Sequence, residues 1–161
     1  FFSYRPEVVP AYRGYLDHWA KAGHTFQPNI SYWALVYVDE TDELARERVR
    51  PHVRHTFTKV FFASEADVQR AAERRAARGE HVGAETTRHL ADSDYLIDHN
   101  LLFAGSPATV ARNIRQAAEE GLFNTLLCEL NFGALPAADL HRSIKLFGTE
   151  VLPALRDCSP Y

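Results

Sequence analysis

Six residues that could line a ligand site stand where three predicted strands end. Each strand is followed by a predicted helix, so the strands are expected to run parallel and to bring their carboxyl ends to one edge of a sheet. Parallel barrels build their ligand sites at that edge. We therefore interpret six residues as pocket or cofactor-binding candidates, without assigning a catalytic role: Tyr37, Asp39, Gly105, Ser106, Glu129 and Asn131.

Three of these candidates also have structural explanations. Ser106 precedes Pro107 and is a suitable N-cap, so capping explains it without function, although free N–H groups at that helix start could meet an anion. Glu129 lies in an otherwise apolar strand, which predicts either a buried partner or a position in the mouth of a barrel. A structural ion pair is the favoured interpretation. Asn131 is interpreted as shaping a turn.

The histidines give no firm site. His52 and His55 flank Arg54, with Lys59 close by, a pattern that could form a cationic patch for an acidic ligand. Basic residues in an irregular segment are more often solvated, and that interpretation is favoured. No third ligand with recognisable spacing accompanies the two histidines, so no metal site is predicted.

The composition excludes several classes of partner. A formal net charge of −3 gives no Lys/Arg surplus of the kind that favours nucleic acid. No apolar run approaches the ~20 residues that span a bilayer, and no signal peptide is visible, so no membrane partner is predicted. Cys128 falls in a predicted buried strand and Cys158 in the tail. Two reduced thiols are favoured over a disulfide, which predicts a cytoplasmic protein.

The last part of the chain has the pattern of a βαβα unit. The apolar run 101–104 is long enough for a buried strand and too short for a helix. A helix is predicted from Pro107 to Gly121, a residue suited to the end of a helix. The nearly all-apolar run 125–130 predicts a strand covered on both sides. A final helix is predicted to start near Pro136.

The first part of the chain predicts a helix, a strand and a second helix. Apolar residues recur at helical spacing over 6–23, and the run 30–38 is dense in aromatic and β-branched residues. Thr41 and the acidic residues after it predict the start of the second helix. Pro51 is predicted to end it.

The segment 52–98 predicts less regular structure. Its residues 57–62 fit either a short strand or a buried helical turn, and 65–78 predicts a charged surface helix capped by Ser64. The remainder is predicted to be a loop with one weak helical turn near 86–90. We interpret the segment as an irregular insertion, a lid or a pocket wall, because long excursions between regular elements are often functional.

These elements predict an α/β fold and one partial domain over residues 1–161. Three strands, each followed by a helix, fit the last three units of a (β/α)8 TIM-type barrel, and a small open three-stranded sheet is the structural alternative. The chain opens without methionine and contains none. We interpret it as a piece of a longer polypeptide; a short protein that has lost its initiator is the alternative.

Several motifs resemble one enzyme family. Residues 105–110 (GSPATV), 121–127 (GLFNTLL), 131–136 (NFGALP) and 142–156 are similar to the C-terminal signature of the luciferase-like flavin-dependent monooxygenases. The last of these is the most specific. Residues 37–46 are similar to the family's strand and acidic-capped helix. On this resemblance the chain corresponds to the C-terminal half of a family member.

The resemblance implies an oxidoreductase built on an eight-stranded barrel. Reduced FMN, or in some branches the deazaflavin F420, would serve as cofactor, with the reduced flavin supplied by a separate flavin reductase. Members oxidise small organic substrates with dioxygen or transfer hydride, and the full-length protein would form a homo-oligomer. The family's N-terminal half makes most flavin contacts. The alternative function is therefore a truncated, non-catalytic half-barrel that binds a partner or self-associates.

Overall fold

A computed structural model describes residues 5–121 and 123–158 of the chain. Residues 1–4 and Leu122, which belongs to one of the motifs above, lie outside this description. The described residues form one parallel sheet of three strands, β1 (Ser31–Val38), β2 (Leu102–Gly105) and β3 (Thr125–Glu129).

Helices connect and flank these strands. They are α1 (Arg5–Lys21), α2 (Asp42–His55), α3 (Glu65–Ala77), α4 (His81–Arg88), α5 (Ser93–Asp98), α6 (Pro107–Gly121), α7 (Ala137–Leu146) and α8 (Leu152–Ala154). Two π-helical turns extend the chain of helices, one after α2 (Thr56–Phe61) and one after α7 (Phe147–Val151). The predicted α/β class, with parallel strands and flanking helices, is confirmed.

The first strand is the centre of the sheet. Its C-terminal half pairs with β2, from Leu35 opposite Leu102 to Val38 opposite Gly105. Its N-terminal half pairs with β3, with Leu35 opposite Glu129 as the last pair. Three successive barrel strands would place the second in the middle. The described residues therefore form an open sheet of order β2-β1-β3.

Helices cover both faces of this sheet. Alternate β1 side chains point to opposite faces, as the strand geometry requires. Val36 and Val38 belong to a core formed with α6 and the second π-helical turn. Leu35 and Tyr37 belong to a second core formed with α2, α5 and the first π-helical turn. Both cores are needed because β1 is apolar on each side.

Pro51 does not end α2, contrary to the prediction. The helix continues to His55 and passes directly into a π-helical turn. A proline inside a helix costs about 3 kcal/mol. Val49 and Val53 on either side of it are fully buried, and Phe57 is nearly so. Burial of each such side chain contributes about 1.5–3 kcal/mol, so packing of this face outweighs the proline.

The segment 52–98 is helical, so its prediction as an irregular insertion is wrong. The helix predicted over 65–78 is present as α3, and α4 and α5 occupy the stretch predicted as a loop. Asp92 caps α5 by accepting from two backbone N–H groups of its first turn, each at 3.1 Å. Glu80, just before α4, is held by Arg75 of α3 at 2.9 Å. These long-range and capping contacts stabilise helices of weak intrinsic pattern. A lid role for the segment stays a prediction.

The third strand is less covered than predicted. Its side chains are half-buried or exposed, and that of Leu127 is 51% exposed. No further strand pairs with β3 within the described residues, which leaves it at the edge of the sheet. The described part of the sheet therefore carries an uncovered apolar edge at β3.

Candidate functional site

A fully buried carboxylate stands at the carboxyl end of the central strand. Arg48 of α2 donates from Nη1 to both carboxylate oxygens of Asp39, at 2.8 and 3.0 Å. The Tyr37 hydroxyl donates to the same carboxylate at 3.1 Å, and the Glu40 backbone N–H does so at 2.9 Å. Nε of Arg142, on α7, lies 3.3 Å from it. We call this group the Asp39 cluster.

The charges of the Asp39 cluster are fixed by these contacts. Burial alone would raise the pKa of Asp39, but a backbone N–H, Arg48 and the charge of Arg142 outweigh burial and lower it. Burial, and next the negative charge of Asp39, raise the pKa of Tyr37. A hydrogen bond to Asp139 is the main cause that raises the pKa of Arg142. At neutral pH the cluster is thus a closed set of ion pairs and hydrogen bonds.

A serine closes the end of the central strand beside this cluster. β3 pairs with β1 only as far as Leu35, so the next backbone N–H on that side, from Val38, needs another acceptor. The buried hydroxyl oxygen of Ser143 accepts from it at 2.8 Å. Because Ser143 neighbours Arg142 on α7, this bond also fixes the helix that supplies the second arginine.

The start of α6 is occupied by a carboxylate of the same chain. The Ser106 backbone N–H donates to Asp42 at 2.6 Å, and the Thr109 hydroxyl donates to it at 2.9 Å. The Ser106 hydroxyl in turn accepts from the Thr109 N–H at 3.4 Å, which confirms its capping role. A Cβ at Gly105 would lie only 2.7 Å from the Asp42 carboxylate. Asp42 therefore fills the position where an external anion was considered.

The predicted residues after β3 do not join these groups. Glu129 has no ion pair in the part of the chain that the structure describes, so the favoured ion-pair interpretation is wrong there. Asn131 is exposed in a turn in which Phe132 is buried. Gly133 closes the turn with a φ of 63°, and a Cβ there would lie 2.5 Å from the His52 carbonyl oxygen. The turn role of Asn131 fits this geometry.

Tyr37 and Asp39 therefore lie in one group, and Gly105 and Ser106 in another. The two groups are adjacent, because the Asp39 backbone N–H donates to the Gly105 carbonyl at 3.0 Å. Both are closed by internal contacts. The structure thus assembles the predicted strand ends without leaving an open ligand site between them.

An open cavity lies elsewhere, between β1, the first π-helical turn, α3 and α4. It has a volume of about 560 Å³, within the range of small-molecule sites. One wall is aromatic. Phe57 and Phe61 stack with ring centroids 5.6 Å apart, and Trp33 meets Phe61 edge-on at 6.5 Å; Phe62 also lines this wall.

Three arginines at the C-terminal end of α3, two within the helix and one at its C-cap, form a second, charged wall of the cavity. Arg74, Arg75 and Arg78 are lining residues, and no Asp or Glu is among the described lining residues. Glu80, just outside the lining, accepts from Arg75 at 2.9 Å and from Arg78 at 2.7 Å. Gly83 lets Arg75 lie against α4, since a Cβ there would be 2.2 Å from Nη2. Three guanidinium groups against Glu80 and the nearby Asp67 leave this wall with a net positive charge.

Two neighbouring threonines on α4 line the same cavity and differ in their partners. The Thr87 hydroxyl donates to the Gly83 carbonyl at 2.7 Å and accepts from Arg75 at 3.5 Å. The Thr86 hydroxyl is buried and contacts no hydrogen-bond partner among the described residues. A buried polar group without a partner costs about 1–3 kcal/mol, so Thr86 is a candidate contact for a bound ligand.

The sequence reasoning missed this cavity. A signal was present in its aromatic residues, because Phe57 and Phe61 are four positions apart and share a helical face. Arg74 and Arg78 have the same spacing on α3. The sequence did not indicate that Trp33 and Thr86 line the same cavity as these aromatic and arginine residues. The cavity can bind an apolar ring and hold a negative charge.

The described part of the chain contains neither a candidate metal centre nor a membrane-spanning helix. Among residues 5–121 and 123–158, no group of three potential ligands from His, Cys, Asp and Glu is placed to bind a metal ion. None of the described helices is long and apolar enough to cross a bilayer.

Burial lowers the pKa of His52 and raises the pKa of Cys128 to about 11, so the Cys128 thiol is protonated at neutral pH.

Two solved structures that are similar to this one are monooxygenases. The monooxygenase RslO1 from Streptomyces bottropensis matches 94% of this chain with a TM-score of 0.62 and 20% identity. The oxygenating constituent of 3,6-diketocamphane monooxygenase from the CAM plasmid of Pseudomonas putida, a type II Baeyer-Villiger enzyme solved in complex with FMN, matches 91% with a TM-score of 0.65 and 21% identity. The chain spans 39% of the length of each.

The sequence itself matches the family described as luciferase-like monooxygenase over residues 6–125. This range contains the motifs at 37–46 and 105–110, whereas the final motif at 142–156, interpreted as the most specific, lies beyond it. No curated protein matches the chain. Because most of the chain is matched, and because its fold agrees with part of two monooxygenase structures, the family is established. The chain belongs to the luciferase-like monooxygenases.

Proposed function

We propose that this chain is part of a flavin-dependent monooxygenase that uses reduced FMN and dioxygen to oxidise a small organic substrate. The observation that carries the proposal is the family match over residues 6–125. The FMN bound in the camphane enzyme structure supports the choice of cofactor. Within that enzyme, we assign the aromatic and arginine-lined cavity to the substrate.

The two strand-end groups do not fit the phosphate of a flavin. Asp39 and Asp42 would repel an anion at either place, and the donors there are already paired with these carboxylates. We therefore route no step of the reaction through these residues. We expect other parts of the full-length protein to hold the flavin phosphate. The homo-oligomer contacts implied by the family resemblance are also expected in those parts.

The role of the described residues is to bind and orient. A flavin supplies the oxygen chemistry, and the protein must place the substrate beside it and exclude water. Trp33 and Phe61 offer apolar ring surface for this purpose, and Thr86 offers one hydroxyl. The Asp39 cluster acts indirectly by fixing α2 and α7 against the end of β1.

The test uses the protein made from its complete reading frame. It would be supplied with FMN, NADH and a flavin reductase under air, and substrate oxidation would be followed by mass spectrometry. Oxygen-dependent product that requires the reductase is the expected result. Absence of both flavin affinity and flavin-dependent turnover would overturn the proposal. Replacement of FMN by reduced F420 tests the other cofactor, and product without incorporated oxygen from ¹⁸O₂ would indicate hydride transfer.

The uncovered edge of β3 favours one second candidate. A half-barrel without catalysis could bind a partner or itself through this edge, where Leu127 is half-exposed. It predicts a folded species of defined oligomeric size without flavin affinity. A monomeric or aggregated species in light scattering would exclude it.

A further inference from the structure

We propose that the substrate of the cavity is a planar aromatic compound that carries a carboxylate. This inference rests on the proposed function and specifies its substrate class. Three independent features carry it, namely the shape of the apolar wall, the charge of the second wall and one unsatisfied hydroxyl.

The apolar wall fits a flat ring. Phe57 and Phe61 are nearly parallel, with 24° between their planes, and Trp33 stands at 70° to Phe61. A flat ligand ring placed beside the Phe57–Phe61 pair would also meet the edge of Trp33. It would thus make both stacked and edge-on contacts, which are the two arrangements that aromatic groups prefer. A flexible aliphatic chain gains apolar contact here but not these ring interactions, so the wall favours aromatic ligands.

The charged wall fits an anion. Glu80, which lies outside the lining, accepts from Arg75 and Arg78, and the only other carboxylate that the structure places near these arginines, among the described residues, is Asp67 close to Arg74. Arg75 is also held by Thr87 and by the space at Gly83, so its guanidinium is positioned before any ligand arrives. Arg74 is exposed on the same helix face as Arg78. Carboxylates and phosphates are the anions that such planar donors bind in pairs, so the phosphate of FMN is tested against a carboxylate below.

The hydroxyl fits a ligand with a polar substituent. Thr86 is 4% exposed, and its oxygen lacks a partner in the described part of the chain. A carboxylate oxygen of a bound ligand could accept a hydrogen bond from the Thr86 hydroxyl, and the buried hydroxyl would then have a partner. The volume of about 560 Å³ accommodates a two- or three-ring compound with space for the anionic group.

The experiment measures equilibrium binding to the full-length protein by calorimetry with four probes. They are 2-naphthoate, its neutral counterpart 2-naphthalenemethanol, the aliphatic anion decanoate, and oxidised FMN. We expect 2-naphthoate to bind at least roughly 10-fold more tightly than the alcohol, since charge-assisted hydrogen bonds are about twice as strong as neutral ones. Decanoate should also bind more weakly than 2-naphthoate. Equal affinity for 2-naphthoate and the alcohol, or stronger binding of decanoate, would overturn the proposal.

Variants locate the binding in the cavity. Arg74→Gln should reduce 2-naphthoate affinity towards that of the alcohol and leave alcohol binding unchanged. Arg70→Gln is the matched control, because Arg70 is an exposed arginine of α3 that pairs with Asp67 and does not line the cavity. Thr86→Val keeps the side-chain shape and should weaken the binding of 2-naphthoate, whose carboxylate would otherwise accept from the Thr86 hydroxyl. The same loss in Arg70→Gln would contradict the assignment.

Two outcomes separate this inference from the proposed function. Competition between FMN and 2-naphthoate, with equal loss of both in Arg74→Gln, would assign the cavity to the cofactor and overturn the substrate proposal. Flavin-dependent oxidation of neutral or aliphatic compounds, without preference for aromatic acids, would leave the proposed function standing and refute the substrate class. Specific 2-naphthoate binding without any flavin-dependent turnover would support the site and refute the enzyme.

Discussion

The Asp39 cluster and the arginine-lined cavity bury polar groups in opposite ways. In the cluster, Asp39 is fully buried, accepts hydrogen bonds from Tyr37 of β1, from the Glu40 backbone and from Arg48 of α2, and lies beside Arg142 of α7. In the cavity, Thr86 is buried without a partner, and the arginines face open space. The difference distinguishes a structural role from a ligand-binding one. The Asp39 carboxylate is fully paired, and Arg142 Nε beside it lacks a hydrogen bond but lies within ion-pair distance of it, whereas the buried Thr86 hydroxyl has no partner of either kind among the described residues.

The largest effect is expected from breaking the cluster. Asp39→Asn removes the charge between Arg48 and Arg142 while keeping the side-chain size. We expect a loss of about 2–3 kcal/mol in the free energy of unfolding, since Asn cannot reproduce the hydrogen bonds that the buried carboxylate accepts from charged groups, and such bonds contribute about 1.5–3 kcal/mol. Urea denaturation of the full-length protein checks this. Asp98→Asn, at an exposed ion pair with Arg46, is the control and should cost only a fraction of that amount. Equal losses of stability in the two variants would show that the buried Asp39 cluster stabilises the fold no more than an exposed ion pair does.

The stability difference between wild type and Asp39→Asn should depend on pH. Because the fold lowers the pKa of Asp39, its stabilisation is complete above the unfolded carboxyl value of about 3.9 and is lost as pH falls through the folded pKa. The difference should therefore be constant between pH 5 and 7 and shrink below about pH 4. Urea midpoints measured across this range test the sign. A difference that grew on acidification would contradict the assignment of an ionised Asp39.

The two threonines of α4 sharpen the comparison within the cavity itself. Thr87→Val removes a hydroxyl that bonds the Gly83 carbonyl and Arg75, and should cost about 1–2 kcal/mol of stability. Thr86→Val removes a hydroxyl without such partners and should be neutral or slightly stabilising in the absence of ligand. Thermal unfolding of both variants checks the order. A cost at Thr86 as large as that at Thr87 would mean that its hydroxyl is already satisfied.

The smallest effect is expected from the glycine against which Arg75 lies. Gly83→Ala gains up to about 1 kcal/mol of helix propensity but displaces the Arg75 guanidinium, so its net effect should be below about 1 kcal/mol. Gly14→Ala, in α1 with open space around it, has only the gain and should stabilise the protein by about 0.5–1 kcal/mol. Urea denaturation compares them. If Gly83→Ala stabilises as much as Gly14→Ala, Arg75 is not held there.

The order of the elements could be predicted because local signals agree with it. Ser64, Ser106 and Thr41 each cap the helix that they were predicted to start, with oxygens that accept backbone N–H groups. Pro51 misled because a local signal was outweighed by burial of the helix around it. The loop prediction near Glu80 failed because α4 depends on a contact with another helix, which no window of sequence contains.

The candidate site could be predicted only in part. Tyr37 and Asp39 were placed at a strand end from the pattern of β1, and they do lie together. Their partner Arg142 is more than a hundred positions away, so the sequence could not show that the group is closed. The cavity was missed for the same reason, since Trp33 and Thr86 meet only through the packing of α3 and α4 on the sheet.

The Ser143 bond to Val38 gives the sheet an end that is encoded by a side chain. Backbone groups pair in the same way whatever the residue, so they cannot by themselves decide where pairing stops. Here the Ser143 hydroxyl of α7 accepts from the Val38 backbone N–H. That N–H is therefore not available to a backbone carbonyl of a longer β3. The identity of the residue at position 143 therefore influences how far the β1–β3 pairing extends. Changes at position 143 offer evolution a direct way to reshape the rim of the sheet beside Asp39.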